Sequence, residues 1–371
     1  MLKSARSWVE ISKPALVHNV EVFRKTVGSK VKIMVVVKSN AYGHGVKETV
    51  QVLSEIKDVD WFGVDSIDEA VGLRRLGINK PVLVLGYTPV FRVEDACRNS
   101  ISIAVYNSET LNALSRLKTK INIHLKIDSG MGRQGVKVSE VEKIVDFIRS
   151  SRNINLEGVF THFASADEED FSFTDFQIKN FKKTLQIIKS KGIIPEIVHC
   201  SATAGTMANK RGHFNLVRAG IGLYGLYPSG HVEKISTGKF RPVLSWKCYI
   251  ARIKMVSKGE SVGYGRTWIA DGTRKIALIP VGYYDGYDRK LSNKGRVIIK
   301  GKYAPVVGRV SMNMMSVDVT NIKDFKLEDE VILLGKEGRA EVSADWLARE
   351  IGTINYEVVT RINSVLPRFI V

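Results

Sequence analysis

Residues 32–45 read KIMVVVKSNAYGHG, and this stretch decides how the first half of the chain folds. The run from Lys32 to Val37 is almost entirely apolar, which is typical of a parallel strand that is buried on both faces. The run ends at Lys38, and the glycines Gly43 and Gly45 that follow favour a sharp turn. The stretch therefore predicts a buried strand that carries a lysine to the start of a glycine-rich turn.

Further apolar runs of the same kind follow the first along the chain. They lie at residues 61–64, 81–85, 101–105, 121–127, 156–161, 196–199 and 216–221. The segments between them have helical spacing, and a helix over residues 14–26 precedes the first strand. Eight strands that alternate with helices over about 230 residues match a (β/α)8 TIM barrel. We predict an α/β fold in which residues 1–235 form this barrel.

The pattern changes after Gly230. Short β-type runs separated by glycine and charged turns lie at residues 243–256, 274–281, 296–299, 303–310, 316–319 and 330–334, whereas only residues 343–350 have helical spacing. This predicts a mostly β C-terminal domain over residues 236–371. Roughly the first ten residues are a candidate addition to that domain.

Composition sets the class of protein. The 371 residues are 44% hydrophobic and 25% charged, the profile of a globular protein of two domains. The cysteines Cys97, Cys200 and Cys248 lack metal-like spacing and favour a reducing compartment. The N-terminus has no apolar leader, and no apolar stretch reaches the roughly 18 residues of a membrane span. We therefore expect a cytoplasmic protein without a metal site and without membrane association.

The net charge of +18 raises the alternative of a nucleic-acid-binding protein. However, lysine and arginine are scattered along the whole chain, and no nucleic-acid-binding motif accompanies them. Basic runs such as residues 179–183 are typical of solvated helix faces. We expect a small-molecule substrate and no nucleic-acid partner.

Active sites of such barrels lie at the carboxyl ends of the strands. Polar side chains follow several of the predicted strands at this point: Lys38, Lys126 with residues 128–133, His162, residues 199–203 and Arg218. Lys38 alone has two interpretations. It either extends its ammonium group into solvent from a strand end, or it holds a carbonyl cofactor covalently.

The segment KSNAYGHG at residues 38–45 closely resembles the cofactor-lysine motif of the alanine racemases, a fold-III family that depends on pyridoxal phosphate. The resemblance extends from Ile11 to about Pro367 and so covers both predicted domains. It implies an isomerase in which Lys38 holds the cofactor. It also implies that Tyr264, in the segment SVGYGRTW, is the acid/base on the opposite face of the substrate.

The same resemblance assigns roles to other residues of the barrel. Arg133, in GMGRQG, matches the arginine that binds the substrate carboxylate, and Lys126 matches a lysine that many members carry as a carbamate. Arg218 matches the arginine that faces the pyridine nitrogen; because arginine only donates hydrogen bonds, it favours an unprotonated ring nitrogen. His162 matches the histidine that links this arginine to the catalytic tyrosine.

The remaining matches concern the phosphate and the substrate. The residues that the family places around the phosphate are Tyr42, Thr203, Gly220, Ile221 and Tyr356. Tyr283 and Met312 match residues at the substrate entrance and beside the substrate, and Tyr356 favours a substrate as small as alanine over serine. One departure is Asn313, where many members have aspartate.

The family further implies a homodimer in which the β domain of one subunit covers the barrel mouth of the other, and a role in supplying D-alanine for peptidoglycan. Three other functions are alternatives. A non-catalytic cofactor carrier would lack the β domain and Tyr264, and a decarboxylase or aldolase would need different groups at the cofactor nitrogen or a metal site. A broad-specificity amino-acid racemase would share every catalytic residue named above.

Overall fold

The computed structural model describes residues 5–371 and divides into two compact units. The barrel unit comprises Leu16–Ser39 and Val50–Arg241. The C-terminal unit comprises residues 5–15, Asn40–Thr49 and Pro242–Val371. Among the described helices, none combines the length and the apolar character needed to cross a membrane.

Strands and helices alternate in the first half of the chain, and strands dominate the second half. In chain order the strands are β1 (Ser7–Ile11), β2 (Lys32–Val36), β3 (Trp61–Val64), β4 (Val82–Val84), β5 (Ser102–Val105), β6 (Ile121–Asp128), β7 (Val136–Lys137), β8 (Ile154–Phe160), β9 (Ile197–His199), β10 (Leu216–Ala219), β11 (Leu244–Tyr249), β12 (Arg252–Val256), β13 (Arg274–Ile279), β14 (Arg296–Ile299), β15 (Lys302–Val307), β16 (Met315–Asp318), β17 (Glu330–Glu337), β18 (Ala340–Val342) and β19 (Arg368–Ile370). The helices are α1 (Lys13–Val27), α2 (Lys38–Tyr42), α3 (Val46–Ser54), α4 (Ile67–Arg75), α5 (Val93–Arg98), α6 (Ser108–Ser115), α7 (Val141–Ser150), α8 (Ser172–Ser190), α9 (Thr203–Ala208), α10 (Gly230–Ile235), α11 (Ala344–Ile351) and α12 (Asn355–Thr360).

The strands of the barrel unit pair in parallel in the order β10-β2-β3-β4-β5-β6-β8-β9, and β7 pairs with β6 beside this path. Backbone hydrogen bonds between β9 and β10 close the circle, from Asn215 N to the Val198 oxygen at 3.3 Å and from Arg218 N to the Ser201 oxygen at 3.0 Å. The predicted (β/α)8 barrel is therefore confirmed.

Apolar side chains fill one part of the barrel interior, where they form a buried cluster: Met34, Trp61, Leu83, Ile197 and Leu216. Side chains two positions apart on a strand share a face. His199 and Arg218, two residues further along β9 and β10, therefore also belong to the interior, and both are buried. The interior is thus apolar in one layer and polar closer to the carboxyl ends of the strands, where a barrel carries its site.

The C-terminal unit is built on a sheet with the order β12-β13-β16-β15-β14-β17-β11-β1-β19, and β18 pairs with β17. The predicted mostly β domain is confirmed. Residues 243–256 form two strands instead of one run, because Ile250 N bonds to the Asp329 oxygen and Ala251 N to the Leu278 oxygen, so the chain changes partners there. Helix α12 was not predicted; its six residues are too few for a helical repeat to show in the sequence.

Helix α2 is a left-handed turn. Ser39, Asn40, Ala41 and Tyr42 have φ values of 53°, 54°, 53° and 53°, and this conformation costs L-residues roughly 1–2 kcal/mol each. Such strain persists only where the surroundings hold it in place. The turn is held locally because Gly45 N donates to the Asn40 carbonyl oxygen at 3.0 Å and Val46 N to Asn40 Oδ1 at 2.8 Å.

Arg368 holds the end of the same turn within the C-terminal unit. Its guanidinium donates to the carbonyl oxygens of Gly43 at 2.9 Å, Ser364 at 3.1 Å and Leu366 at 2.7 Å. Gly43 has a φ of 81°, and a Cβ at this position would overlap the carbonyl oxygen of Val359 in helix α12. The turn that follows Lys38 is thus built against the C-terminal end of the chain.

Gly43→Ala should destabilise the protein more than Gly259→Ala. Both glycines have positive φ, 81° and 86°, but only at Gly43 does a Cβ meet backbone atoms; the space around Gly259 is open to 4 Å. We expect the Gly43 variant to lose about 1–3 kcal/mol more in free energy of unfolding, the usual effect of overpacking. Urea titration of both variants measures the difference, and equal losses would show that the contact with α12 contributes nothing.

Candidate active site

Lys38 lies at the carboxyl end of β2, as predicted, and its side chain is half-buried. Its ammonium group is 2.9 Å from Asp65 Oδ1. The Glu69 carboxylate fixes the backbone beside both residues, because it accepts from Ser39 N at 2.6 Å and Asp65 N at 2.7 Å. Sequence reasoning missed both acidic residues, although Asp65 directly follows β3 and the strand-end rule would have found it.

Arg218 is buried in the barrel interior, with 4% of its surface exposed. It donates to His199 Nδ1 at 2.7 Å and to His162 Nδ1 at 3.0 Å. It also donates to the carbonyl oxygens of Thr161 at 2.9 Å and Cys200 at 2.7 Å. These bonds compensate a buried charge that would cost several kcal/mol without partners.

Both histidines that contact Arg218 are neutral. Burial, reinforced by the positive charge of Arg218, lowers the pKa of His199 and of His162 well below the ordinary value. Since arginine can only donate, the Nδ1 atom of each ring accepts and the proton of each ring lies on Nε2. The structure thus brings Arg218 and His162 together as predicted from the resemblance, and it adds His199, which the strand-end pattern placed nearby.

Lys126 is buried on β6, with 6% of its surface exposed. Its Nζ donates to Gln134 Oε1 at 2.6 Å, and Gln134 Nε2 donates to the hydroxyl of Tyr106 at 3.2 Å. Burial, followed by the positive charges of Arg218, Arg133 and Lys38, lowers the pKa of Lys126 to about 8. Gln134 and Tyr106 were not predicted, because neither residue type indicates chemistry on its own.

The exposed Arg133 and the half-buried His162 occupy the loops that follow β6 and β8. Gln177, a fully buried residue of α8, supports the second loop. Its Nε2 donates to the His162 carbonyl oxygen at 3.1 Å, and its Oε1 accepts from Ala164 N at 2.9 Å. Nothing in the sequence indicates that a glutamine inside a helix supports a loop in this way.

Thr203, Gly220 and Ile221 lie where β9 and β10 end. The buried Thr203 hydroxyl accepts from Gly220 N at 3.1 Å and from Gly222 N at 3.2 Å. Ile221 begins a short 3-10 helix, Ile221–Tyr224. Polar groups of the kind that binds a phosphate oxygen therefore converge on one point of the barrel unit.

The predicted residues of the C-terminal unit lie at three places: the pair Tyr42 and Tyr356, the turn that carries Tyr264, and the adjacent segments of Tyr283 and Met312. The rings of Tyr42 and Tyr356 have centroids 6.2 Å apart. Tyr264 stands between Gly263 and Gly265, whose φ values are 80° and 69°, and 73% of its surface is exposed. This turn therefore presents the phenol outward.

Tyr283 and Met312 belong to adjacent segments of the C-terminal unit. Tyr283 N donates to the Ser311 oxygen at 3.0 Å and Tyr284 N to the Met312 oxygen at 2.9 Å. A Cβ on Gly282 would overlap the Ser311 oxygen, so this close approach requires glycine. Both Tyr283 and Met312 are exposed, which leaves them accessible to a ligand or a partner.

The strand ends of the barrel unit thus combine the charged groups of Lys38, Arg133 and Arg218 with neutral imidazoles and an amine of lowered pKa, Lys126. Such a set suits an anionic ligand that carries a carboxylate or a phosphate. It also provides groups that accept or donate protons near neutral pH.

Comparison with known proteins agrees with this chemistry. The profile for the alanine racemase N-terminal domain matches residues 11–228, and the profile for the alanine racemase C-terminal domain matches residues 243–370. The chain is 38% identical to alanine racemase 2 of Bacillus subtilis over 378 residues, which covers 100% of this chain and 96% of that protein. It is 40% identical to the alanine racemase of Halothermothrix orenii, with 98% of this chain and 96% of that protein covered.

Solved structures give the same result. The alanine racemase of Clostridium difficile 630 superimposes with a TM-score of 0.94 at 36% identity, covering 100% of this chain and 97% of that one. The alanine racemase of Bacillus anthracis with bound L-Ala-P superimposes with a TM-score of 0.92 at 34% identity, covering 100% and 96%. Sequence and fold agree, and the chain belongs to the alanine racemase family of isomerases.

Proposed function

We propose that this chain interconverts L-alanine and D-alanine with pyridoxal phosphate, which Lys38 holds. The observation that carries the proposal is the buried Arg218, bound to two neutral imidazoles at the strand ends that also carry Lys38. The family membership supports the same reaction. As in the family, the product would supply D-alanine for peptidoglycan, and we expect the protein to act in the cytoplasm.

The strand ends suit the cofactor chemically. The N–H groups of Gly220 and Gly222 converge on the Thr203 hydroxyl, and we infer that this segment, with Ile221, Tyr42 and Tyr356, binds the phosphate. Arg218 would donate to the ring nitrogen and, being unable to accept a proton, would leave that nitrogen unprotonated. When bound, pyridoxal phosphate supplies the electron sink that makes the α-proton of an amino acid acidic.

Racemisation needs a proton acceptor on one face of the α-carbon and a proton donor on the other. We assign these roles to Lys38 Nζ and to the phenol of Tyr264. An ordinary tyrosine titrates near ~10, so its hydroxyl needs a neighbour that stabilises the phenolate. His162 suits this role, because its Nδ1 accepts from Arg218 and its Nε2–H is left as a donor.

Substrate binding completes the assignment. Arg133, an exposed guanidinium, would bind the substrate carboxylate in a bidentate manner. Tyr283 and Met312 would border the substrate, and Tyr356 would restrict its side chain to the size of alanine. We further propose a homodimer with shared sites, in which Tyr264, Tyr283 and Met312 act on the cofactor held by the other subunit.

Lys38→Ala and Tyr264→Phe should each abolish alanine racemisation, because each removes one of the two proton-transferring groups. Lys47→Ala is the control for Lys38, since Lys47 is an exposed lysine of the same region. D-alanine formation from L-alanine, measured with added pyridoxal phosphate, checks all three variants. Retained activity in Lys38→Ala would overturn the proposed function.

Mixing the two inactive variants tests the shared site. If Lys38 and Tyr264 of one site come from different subunits, a mixed dimer contains one intact site, and random exchange restores about a quarter of the sites. The mixture is unfolded and refolded together and assayed beside each variant alone. If the mixture stays inactive while wild type refolded in the same way is active, the shared-site proposal is wrong and the racemase proposal is unaffected.

We also propose that Lys126 is carbamylated. A neutral amine attacks carbon dioxide, a C–N bond forms, one C=O bond opens to a carboxylate and the amine loses a proton. Because the pKa of Lys126 is lowered to about 8, the neutral amine becomes abundant as the pH rises through 8. NMR of protein in ¹³C-bicarbonate should show a bound carbamate that increases over this range, is lost in Lys126→Met and is retained in Lys32→Met. A carbamate signal that survives in Lys126→Met would contradict the assignment.

A further inference from the structure

A line of hydrogen bonds, the first two of them buried and the last part-buried, leads from Arg218 through the barrel interior to a carboxylate. His199 Nε2 lies 2.9 Å from His124 Nδ1, and His124 Nε2 lies 3.3 Å from Glu157 Oε2. Both imidazoles have no exposed surface. Neither His124 nor Glu157 belongs to the site described above.

While both rings are neutral, the donors and acceptors along this line permit a single arrangement of protons. Arg218 donates to His199 Nδ1, so the proton of His199 lies on Nε2 and points at His124 Nδ1. His124 then carries its own proton on Nε2 and donates it to the Glu157 carboxylate. Every bond therefore runs in the same direction, from the guanidinium to the carboxylate.

Glu157 reaches the interior because of a local irregularity in the sheet. On the partner strand β6, Ile123 pairs with Leu156 and His124 pairs with Gly158, so Glu157 is the extra residue of a β-bulge. A bulge redirects a side chain that regular alternation would send to the other face. Gly158 is part of the same arrangement, because a Cβ there would overlap the His124 ring.

The Glu157 carboxylate is held as an anion. Burial alone would raise its pKa, but hydrogen bonds from His124, Ser102 and Asn122 outweigh burial, and the pKa is lowered overall. Ser102 Oγ donates to Oε2 at 2.5 Å and Asn122 Nδ2 to Oε1 at 2.8 Å. Burial lowers the pKa of His124, so that this ring, which lies on the line between Arg218 and Glu157, stays neutral.

We propose that Glu157 is a positioning residue for the racemisation reaction. Through His124 and His199 it fixes the ring protons, so that an acceptor, His199 Nδ1, faces Arg218. The role in turnover rests on the proposed function, because Arg218 matters through the cofactor it would face. The arrangement of protons is a property of the protein alone. A glutamine at this position keeps an oxygen that can accept from His124 Nε2 but removes the negative charge, so the line would end on a weaker acceptor.

Two-bond ¹H–¹⁵N NMR of the cofactor-free wild type, labelled with ¹⁵N-histidine at pH 7, tests the proton positions directly. We expect His124 and His199 each to carry one proton, on Nε2; His124→Gln and His199→Gln assign the signals. An Nδ1 proton on either ring, or a doubly protonated ring, would overturn the proposal. This measurement needs no turnover, so it stays decisive if the proposed function is wrong.

Glu157→Gln tests the consequence in the holoenzyme. We expect kcat for alanine to fall roughly tenfold, in the range usual for residues that orient a functional group from behind it, with KM changed less than twofold and the His124 signal altered. Glu109→Gln, at an exposed position of α6, is the matched control and should change neither value. An unchanged kcat in folded Glu157→Gln would contradict the positioning role. If that variant fails to fold, Ser102→Ala, which removes one bond to the carboxylate, should lower kcat in the same direction.

Discussion

The guanidinium of Arg218 lies inside a parallel barrel, where its surface is 4% exposed, and a charge in such a place must be met by hydrogen-bond acceptors. Its neighbours are arranged to satisfy this need. Two imidazoles turn their Nδ1 atoms toward it, and two carbonyl oxygens also accept hydrogen bonds from it. The aromatic face of Phe160 lies 5.6 Å from the guanidinium carbon. Burial, reinforced by this one charge, keeps His162 and His199 neutral, and the same charge contributes to the lowered pKa of Lys126.

The left-handed turn that Lys38 begins is a second constraint on the structure. It contains four non-glycine residues, whose conformational cost is offset by contacts on both sides. Within the barrel unit Glu69 binds Ser39 N, and within the C-terminal unit Arg368 binds the Gly43 carbonyl oxygen. The lysine therefore lies at a fixed point, which is the condition for holding a cofactor in one orientation. The stabilising residues are far from Lys38 in sequence, and this explains why the motif alone does not reveal them.

Sequence patterns predicted the barrel well, because strands buried on both faces are continuous apolar runs whose carboxyl ends can be read directly. The strand-end rule identified Lys38, Lys126, His162, His199 and Arg218 as neighbours of one barrel mouth. The same reasoning could not predict Glu157, because a β-bulge turns its side chain against the alternation expected for a strand. Gln177 and Gln134 were also missed, since their roles depend on which backbone or side-chain atom lies opposite them in the fold. The roles proposed for Tyr264 and Arg133 rest on the family resemblance, not on any local pattern.

In the proposed reaction a proton is removed from the α-carbon of alanine and returned on either face. Incubation with L-alanine and pyridoxal phosphate in deuterium oxide, followed by chiral separation and proton NMR, tests it most directly. D-alanine should appear with deuterium at the α-position, and the mixture should approach equal amounts of both enantiomers. L-alanine that keeps its α-proton, with no D-alanine formed, would contradict the assignment of this barrel as a racemase.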